Sequence, residues 1–187
     1  LSMKIDVIVT DGSEPVGNGI GPVLEARDVM KVLRCREDAP QDLREKALFV
    51  AGRILEFDPH LRGGQGYYQA RDILDSGKAL EVMSQLVHRQ GKMPPPPLGQ
   101  LTRDIPAPVS GVVEEIDGGQ LNRIAMTAGA PQEKGAGIDL FKKVGDTVEQ
   151  GEVLYRIYAA KATSFAFANG LAEGNSGYKI SAKGHSY

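Results

Sequence analysis

Three glycines at alternate positions, Gly17, Gly19 and Gly21, sit between an apolar run and a helical run in VTDGSEPVGNGIGPVLEARD, Val9 to Asp28. Glycine-rich turns can cradle phosphate when their backbone N–H groups converge at a helix N-terminus. The dinucleotide fingerprint, however, is G-x-G-x-x-G directly after a strand, with an acidic residue on the next strand. Here the spacing is G-x-G-x-G, seven residues separate Val9 from Gly17, and no strand-borne acid follows. The expected role is a turn that lets one backbone pass close to another. Gly63-Gly-Gln-Gly66 precedes a helical run and is a second candidate anion site, or a helix–helix connection with an unusual bend. His60, His88 and His185 lack metal-ligand spacing. Cys35 is a lone thiol among Arg34, Arg36 and acidic residues, and Ser110 lies in no G-x-S-x-G elbow. No catalytic set assembles from these residue types.

The elements that position these residues follow from periodicity. Ile5–Val9 is short and β-branched, which predicts a strand buried on both faces of a parallel sheet. Pro22 fits a first helical position, and Val23, Ala26, Val29, Met30 and Leu33 recur at helical spacing. Further helices are predicted from about Gln41 to Phe57, Tyr67 to Ser76 and Lys78 to Gln90, with Gly77 and Gly91 as stops. Nothing else before residue 104 reads as a strand, so residues 1–92 are expected to be the last strand and closing helices of an α/β domain. Pro94–Pro97 is a stiff spacer within a linker, 93–103. Residues 104–187 then read as a β-rich domain: strands at Val112–Ile116, Ile138–Lys142 and in the turn-and-strand run Val144–Tyr158, with a short helix from Leu121 to Ala128. In the tail, Ala162–Glu173 is a candidate helix and Gly174 onward is expected to be loose. The fold class is therefore α+β.

Bulk properties narrow the function classes. The chain has 187 residues, 41% hydrophobic and 25% charged, as in ordinary globular proteins. A formal net charge of -2 points to no nucleic-acid partner, and no apolar run suits a membrane span. One cysteine excludes an intrachain disulfide and fits a cytoplasmic location. The opening Leu1-Ser2-Met3 directly before an apolar run is expected of a piece of something longer.

Two resemblances emerge from the motifs. Ala107-Pro-Val-Ser-Gly-Val-Val113 and Val144-Gly-Asp-Thr-Val-Glu-Gln-Gly-Glu-Val-Leu154 resemble biotinyl and lipoyl carrier domains, with Lys161 near the modified lysine. Alanines replace the methionines that flank a biotin-accepting lysine, so this resemblance implies a barrel-sandwich (α/β hammerhead) shape rather than a swinging arm. The second covers roughly residues 4 to 160. Thr10-Asp-Gly-Ser-Glu-Pro-Val-Gly, Gly19-Ile-Gly-Pro-Val-Leu-Glu-Ala-Arg-Asp-Val29, Ser76-Gly-Lys-Ala79, Ala107-Pro-Val-Ser-Gly111, Leu121-Asn-Arg-Ile-Ala125, Gly129-Ala-Pro131, Lys134-Gly-Ala-Gly-Ile-Asp-Leu140 and Gly145-Asp-Thr-Val148 occur in the order found in thymidine, pyrimidine-nucleoside and AMP phosphorylases. The chain resembles the C-terminal part of that family, in the branch of AMP phosphorylases and bacterial thymidine-phosphorylase-like proteins.

The resemblance implies a pentosyltransferase that uses inorganic phosphate as co-substrate and needs no organic cofactor. It implies thymidine as substrate, with AMP as the alternative, and a homodimer for the whole protein. The family's phosphate loops and base-recognising residues lie upstream of this region, so no catalytic residue is expected here and the chain alone should be inactive. The resemblance also implies a partial monovalent-cation site at the glycine turn, made by the carbonyls of Val16 and Gly19 and the carboxylate of Asp28.

Overall fold

The computed structural model describes residues 5–182. Four helices form the first half: α1 (Pro22–Leu33), α2 (Gln41–Leu55), α3 (Gln65–Asp75) and α4 (Lys78–Arg89). The apolar stripes of α1, α2 and α3 meet in a small core of Val32, Ala39, Leu48, Ala70 and Leu74, with Leu43, Ala51 and Tyr67 packed against it, whereas α4 buries no residue and leaves Leu86 and Val87 exposed. The helix ends match the sequence reading to within about two residues, the usual uncertainty of such boundaries. Gly77, at φ 79°, both ends α3 and starts α4.

The second half holds two antiparallel sheets. Strands β1 (Gly19–Ile20), β4 (Gly137–Leu140), β6 (Val153–Ala159) and β2 (Leu101–Pro106) lie side by side in that order. Strands β5 (Thr147–Val148), β3 (Gly111–Ile116) and β7 (Tyr178–Ala182) form the other. Helices α5 (Gly118–Ala128) and α6 (Ala162–Gly174) pack on each other and on the four-stranded sheet. Asp117 caps α5 by accepting the Gln120 N–H at 2.9 Å. Ile105, Val113, Ile116, Leu121, Ile124, Ile138, Leu154 and Ile157 fill the core between sheets and helices. Each such fully buried aliphatic side chain contributes about 1.5–3 kcal/mol relative to leaving it in water. Tyr155 is wholly buried and stacks on Tyr178 with ring centroids 5.7 Å apart. The Tyr178 hydroxyl donates to the Lys142 carbonyl at 2.8 Å, whereas the Tyr155 hydroxyl has no partner among the described residues. Burial raises both phenols well above the ordinary tyrosine range. The fold is α+β, and the two sheets do not close into a barrel among the described residues.

The structure corrects three expectations. Ile5–Val9 forms no strand: Ile5, Val7 and Val9 are 73%, 80% and 92% exposed. Its β-branched pattern suits a sheet, but a strand also needs neighbours to take its N–H and C=O groups, and none runs beside it. Second, the first half does contribute a strand. β1 leaves the helices and pairs antiparallel with β4, Gly19 opposite Asp139 and Ile20 opposite Ile138. β2 likewise starts at Leu101, where it pairs with Ala159. Third, the chain beyond Gly174 is not loose over the described residues, because Tyr178–Ala182 form β7 and complete the second sheet against β3. No helix among the described residues is long and apolar enough to cross a membrane.

Candidate functional site

The glycine turn is where the two halves meet. At its end, Gly21 adopts φ 127° and Gly137 of β4 adopts φ 153°, and the two backbones touch. A Cβ on Gly21 would stand 2.4 Å from the Ala136 carbonyl oxygen, and one on Gly137 would stand 2.1 Å from that of Ile20. The alternating glycines therefore serve this close crossing. The N-terminus of α1 is not open to phosphate. Pro22 has no N–H, the Val23 N–H donates to the Lys134 carbonyl at 3.2 Å, and the Gly21 N–H donates to the Glu25 carboxylate at 2.9 Å.

Beneath the crossing lies a buried ionic clasp. Arg27 of α1 forks onto Asp139 of β4, Nη1 to Oδ2 at 2.6 Å and Nη2 to Oδ1 at 2.7 Å. Its Nε and Nη2 also donate to Asp28 Oδ1 at 3.0 and 2.9 Å. The other oxygen of Asp28 accepts the Asn18 and Gly19 N–H groups, both at 2.7 Å. Asp28 is 2% exposed and Asp139 8%. Hydrogen bonding to Asp139 outweighs burial and, with Asp28, holds the Arg27 guanidinium charged far above its ordinary range. The bidentate fork fixes orientation as well as charge, so α1 has one register against the sheet.

A second cation sits on the turn itself. Lys143 Nζ donates to the carbonyls of Pro15 at 2.6 Å and Gly17 at 2.7 Å, and to Asp42 Oδ2 of α2 at 3.0 Å. Asp42 also accepts the Gly17 N–H at 2.9 Å. Burial opposes ionisation of Asp42, but Lys143 and the Gly17 and Leu43 N–H groups together hold its carboxyl below the usual range.

Of the residues expected to ligate a monovalent cation, Val16, Gly19 and Asp28 do lie on one turn and the helix beside it. Asp28 does not fit the part of ligand, since four N–H donors already converge on its two oxygens. Among the described residues no group of three or more His, Cys, Asp or Glu is arranged to hold a metal. The second glycine cluster is also filled from within: the Gly64 N–H donates to the Glu56 carboxylate at 2.7 Å, where an anion was the candidate. Gly66 brings α3 onto α2, since a Cβ there would stand 2.1 Å from the Gly52 carbonyl oxygen. Ser110 is a turn staple, donating to Glu149 at 3.0 Å and accepting the Gln150 N–H at 2.8 Å. Cys35 is exposed, His60 and His88 stand apart on the helical half, and His185 lies outside the described residues. Lys161 precedes α6 and pairs with Glu133 at 2.5 Å.

Sequence reasoning missed Arg27, Asp42, Asp139 and Lys143. One signal was available: Asp139 stands between Ile138 and Leu140 in an apolar strand, and a buried acid there requires a partner. Nothing local marks Lys143, whose acceptors lie more than a hundred residues earlier.

Residues 112–179 match the family described as "Pyrimidine nucleoside phosphorylase C-terminal domain". A protein of Rhodopseudomonas palustris (strain BisA53) named "Putative thymidine phosphorylase" is 58% identical over 179 residues, 95% of this chain and 35% of that protein. Nearly the whole chain is thus similar to that protein, and residues 112–179 carry the C-terminal domain of the pyrimidine nucleoside phosphorylases. A relative of the same name from Albidiferax ferrireducens is 53% identical over 184 residues, 96% of this chain and 35% of its own length. One from Bradyrhizobium diazoefficiens is 54% identical over 177 residues, 94% of this chain and 34% of its own length. The chain thus spans about a third of the phosphorylase relatives it matches, and the matched domain carries β3 through the first residues of β7. The crossing at Gly21 and Gly137 and the Arg27 clasp join that phosphorylase domain to the helices before it.

Proposed function

We propose that this chain is the C-terminal part of an enzyme that transfers the pentosyl group of thymidine to inorganic phosphate. The observation that carries this is the identity of 58% to a named relative across 95% of the chain. In the reaction the C1′–N bond to the base breaks and its electron pair leaves with the base, which gains a proton. A phosphate oxygen bonds to C1′. An oxocarbenium-like sugar meeting an anion calls chiefly for positioning and electrostatic stabilisation. The ionic groups described above hold helices to sheets, and no set among the described residues is arranged to bind both a base and a phosphate. The chain's share is to form the closing domain and fix its angle against α1, and alone it does not release base. AMP is the second substrate reading, because the Asp-Gly-Ser-Glu-Pro wording at 11–15 and Gly-Ile-Gly-Pro at 19–22 resembles a branch that holds AMP phosphorylases beside thymidine-phosphorylase-like proteins.

The same proposal divides the chain into 1–92, a linker at 93–103 and 104–187, supported by separate core clusters on either side of Pro94–Pro97. It takes the C-terminal half as a relative of barrel-sandwich domains, on the strength of its glycine-turned hairpins. It places the whole protein in the cytoplasm as a homodimer. The test is phosphate-dependent release of free base from thymidine, uridine and AMP, by the 187-residue chain and by the same chain extended upstream. We expect none from the first and release from the second. Base released by the short chain would overturn the assignment, and an extended chain active only on AMP would select the second reading.

A further inference from the structure

We propose that Lys143 is the glycine turn's own cation: its ammonium occupies an oxygen-lined seat of the kind that holds a potassium or ammonium ion, so the turn closes without a free ion. An ammonium has three N–H donors and no acceptor, and Lys143 Nζ has three acceptors around it, the Pro15 and Gly17 carbonyls and Asp42 Oδ2. Two carbonyls and a carboxylate are hard oxygen donors, the ligand type that replaces the hydration shell of such ions. The neighbouring carboxylate has a protein cation of its own, because Arg27 caps Asp28. Asp42 and Asp28, the carboxylates that accept the Gly17, Asn18 and Gly19 N–H groups, are therefore each paired with a cation of the chain.

The seat does not depend on the lysine side chain for its shape. Asp42 is tied to the turn through the Gly17 N–H at 2.9 Å. The loop carrying Lys143 is held by its own backbone: the Lys143 N–H donates to Asp146 at 2.7 Å, and the Val144 N–H donates to Glu14 at 3.0 Å. A cleft of about 130 Å³ lined by Asp11, Glu14, Asp42 and Lys46 opens beside it and gives small ions a route. Truncating Lys143 should thus leave an oxygen-lined vacancy that a free cation of similar size can enter.

The experiment is thermal unfolding of the wild-type chain and of Lys143→Ala in potassium, ammonium and tetramethylammonium chloride at one ionic strength. The wild type should melt at the same temperature in all three. Lys143→Ala should melt about 3–12 °C lower in tetramethylammonium, from the loss of hydrogen bonds to a charged donor. It should regain half or more of that loss in potassium and ammonium. Should the variant fail to fold in tetramethylammonium, its refolding yield in potassium against tetramethylammonium reads the same contrast. Lys143→Met keeps the apolar stem and separates lost packing from lost charge. A wild type selectively stabilised by potassium would overturn the proposal, since a free ion would then bind the intact turn. So would a variant that melts like the wild type, or one that is destabilised yet indifferent to the cation.

Discussion

Asp28→Asn is the sharpest probe of the clasp, because it changes no heavy-atom count and removes only the second acceptor and the charge. In the wild type, two backbone N–H groups converge on one oxygen and the Arg27 fork on the other. An asparagine can satisfy one of these pairs, and its NH2 then faces the other. Losing two hydrogen bonds to a buried charged acceptor, at about 1.5–3 kcal/mol each, costs about 3–6 kcal/mol, and the working figure is the about 3–5 kcal/mol of a buried ion pair that loses one member. A chain of this size loses about 2–4 °C of melting temperature per kcal/mol. The midpoint should therefore fall by roughly 6–20 °C. The control is Asp38→Asn, chemically the same change at a carboxylate that is 52% exposed and paired with Lys31 and Arg36. Urea unfolding followed by circular dichroism should show a lower midpoint for Asp28→Asn with an unchanged slope, which separates lost stability from altered compactness. If the Asp28 variant stayed as close to wild type as the control, the dependence of the turn on that carboxylate would be refuted.

Gly21→Ala places a Cβ 2.4 Å from a backbone oxygen at a residue with φ 127°. Backbone strain alone costs about 1–3 kcal/mol at such a position, so a urea midpoint within error of wild type would count against the close crossing. Tyr155 and Tyr178 make stability fall on the alkaline side. Their folded ionisation lies above the unfolded tyrosine value of about 10. The folded chain therefore holds more protons than the unfolded one above that pH, and stability declines from there while staying level below it. Tyr155→Phe should flatten that decline. It also deletes a buried hydroxyl with no partner among the described residues, so it should gain about 1 kcal/mol or more at neutral pH. A loss at neutral pH would show that the hydroxyl has a bonded role.

The helices were legible because their signals are local. Pro22 at the first turn, the apolar stripe of α2, and Gly77 and Gly91 as stops all act within one or two turns of chain. The central strands β4 and β6 were legible for the same reason, as compact apolar runs. Ile5–Val9 misled because its composition describes what a strand needs inside itself and says nothing of the neighbours it needs outside. β1 has two residues, too few to show any period. β7 follows Gly174 and Gly177, which punctuate like a loose tail, and its order comes from pairing with β3 across more than sixty residues of sequence. The clasp and the Lys143 seat were illegible for a related reason. Their chemistry is assembled from single residues on distant elements, and of these only Asp139, an acid inside an apolar strand, stands out in its own surroundings.

That distance has a consequence in time. Arg27 and Asp139 are 112 residues apart in the chain. Ribosomes add roughly 5–20 residues per second, so α1 emerges roughly 6–22 s before its strand partner exists. Throughout that interval the turn lacks Asp139 and Lys143, which hold it to the sheet in the folded chain. The angle between the halves is thus set last, when β4 arrives and the guanidinium closes on it. A substitution at Asp139 or Lys143 should leave the nascent helices untouched and show itself only after β4 has been made, as a chain whose two halves have not latched.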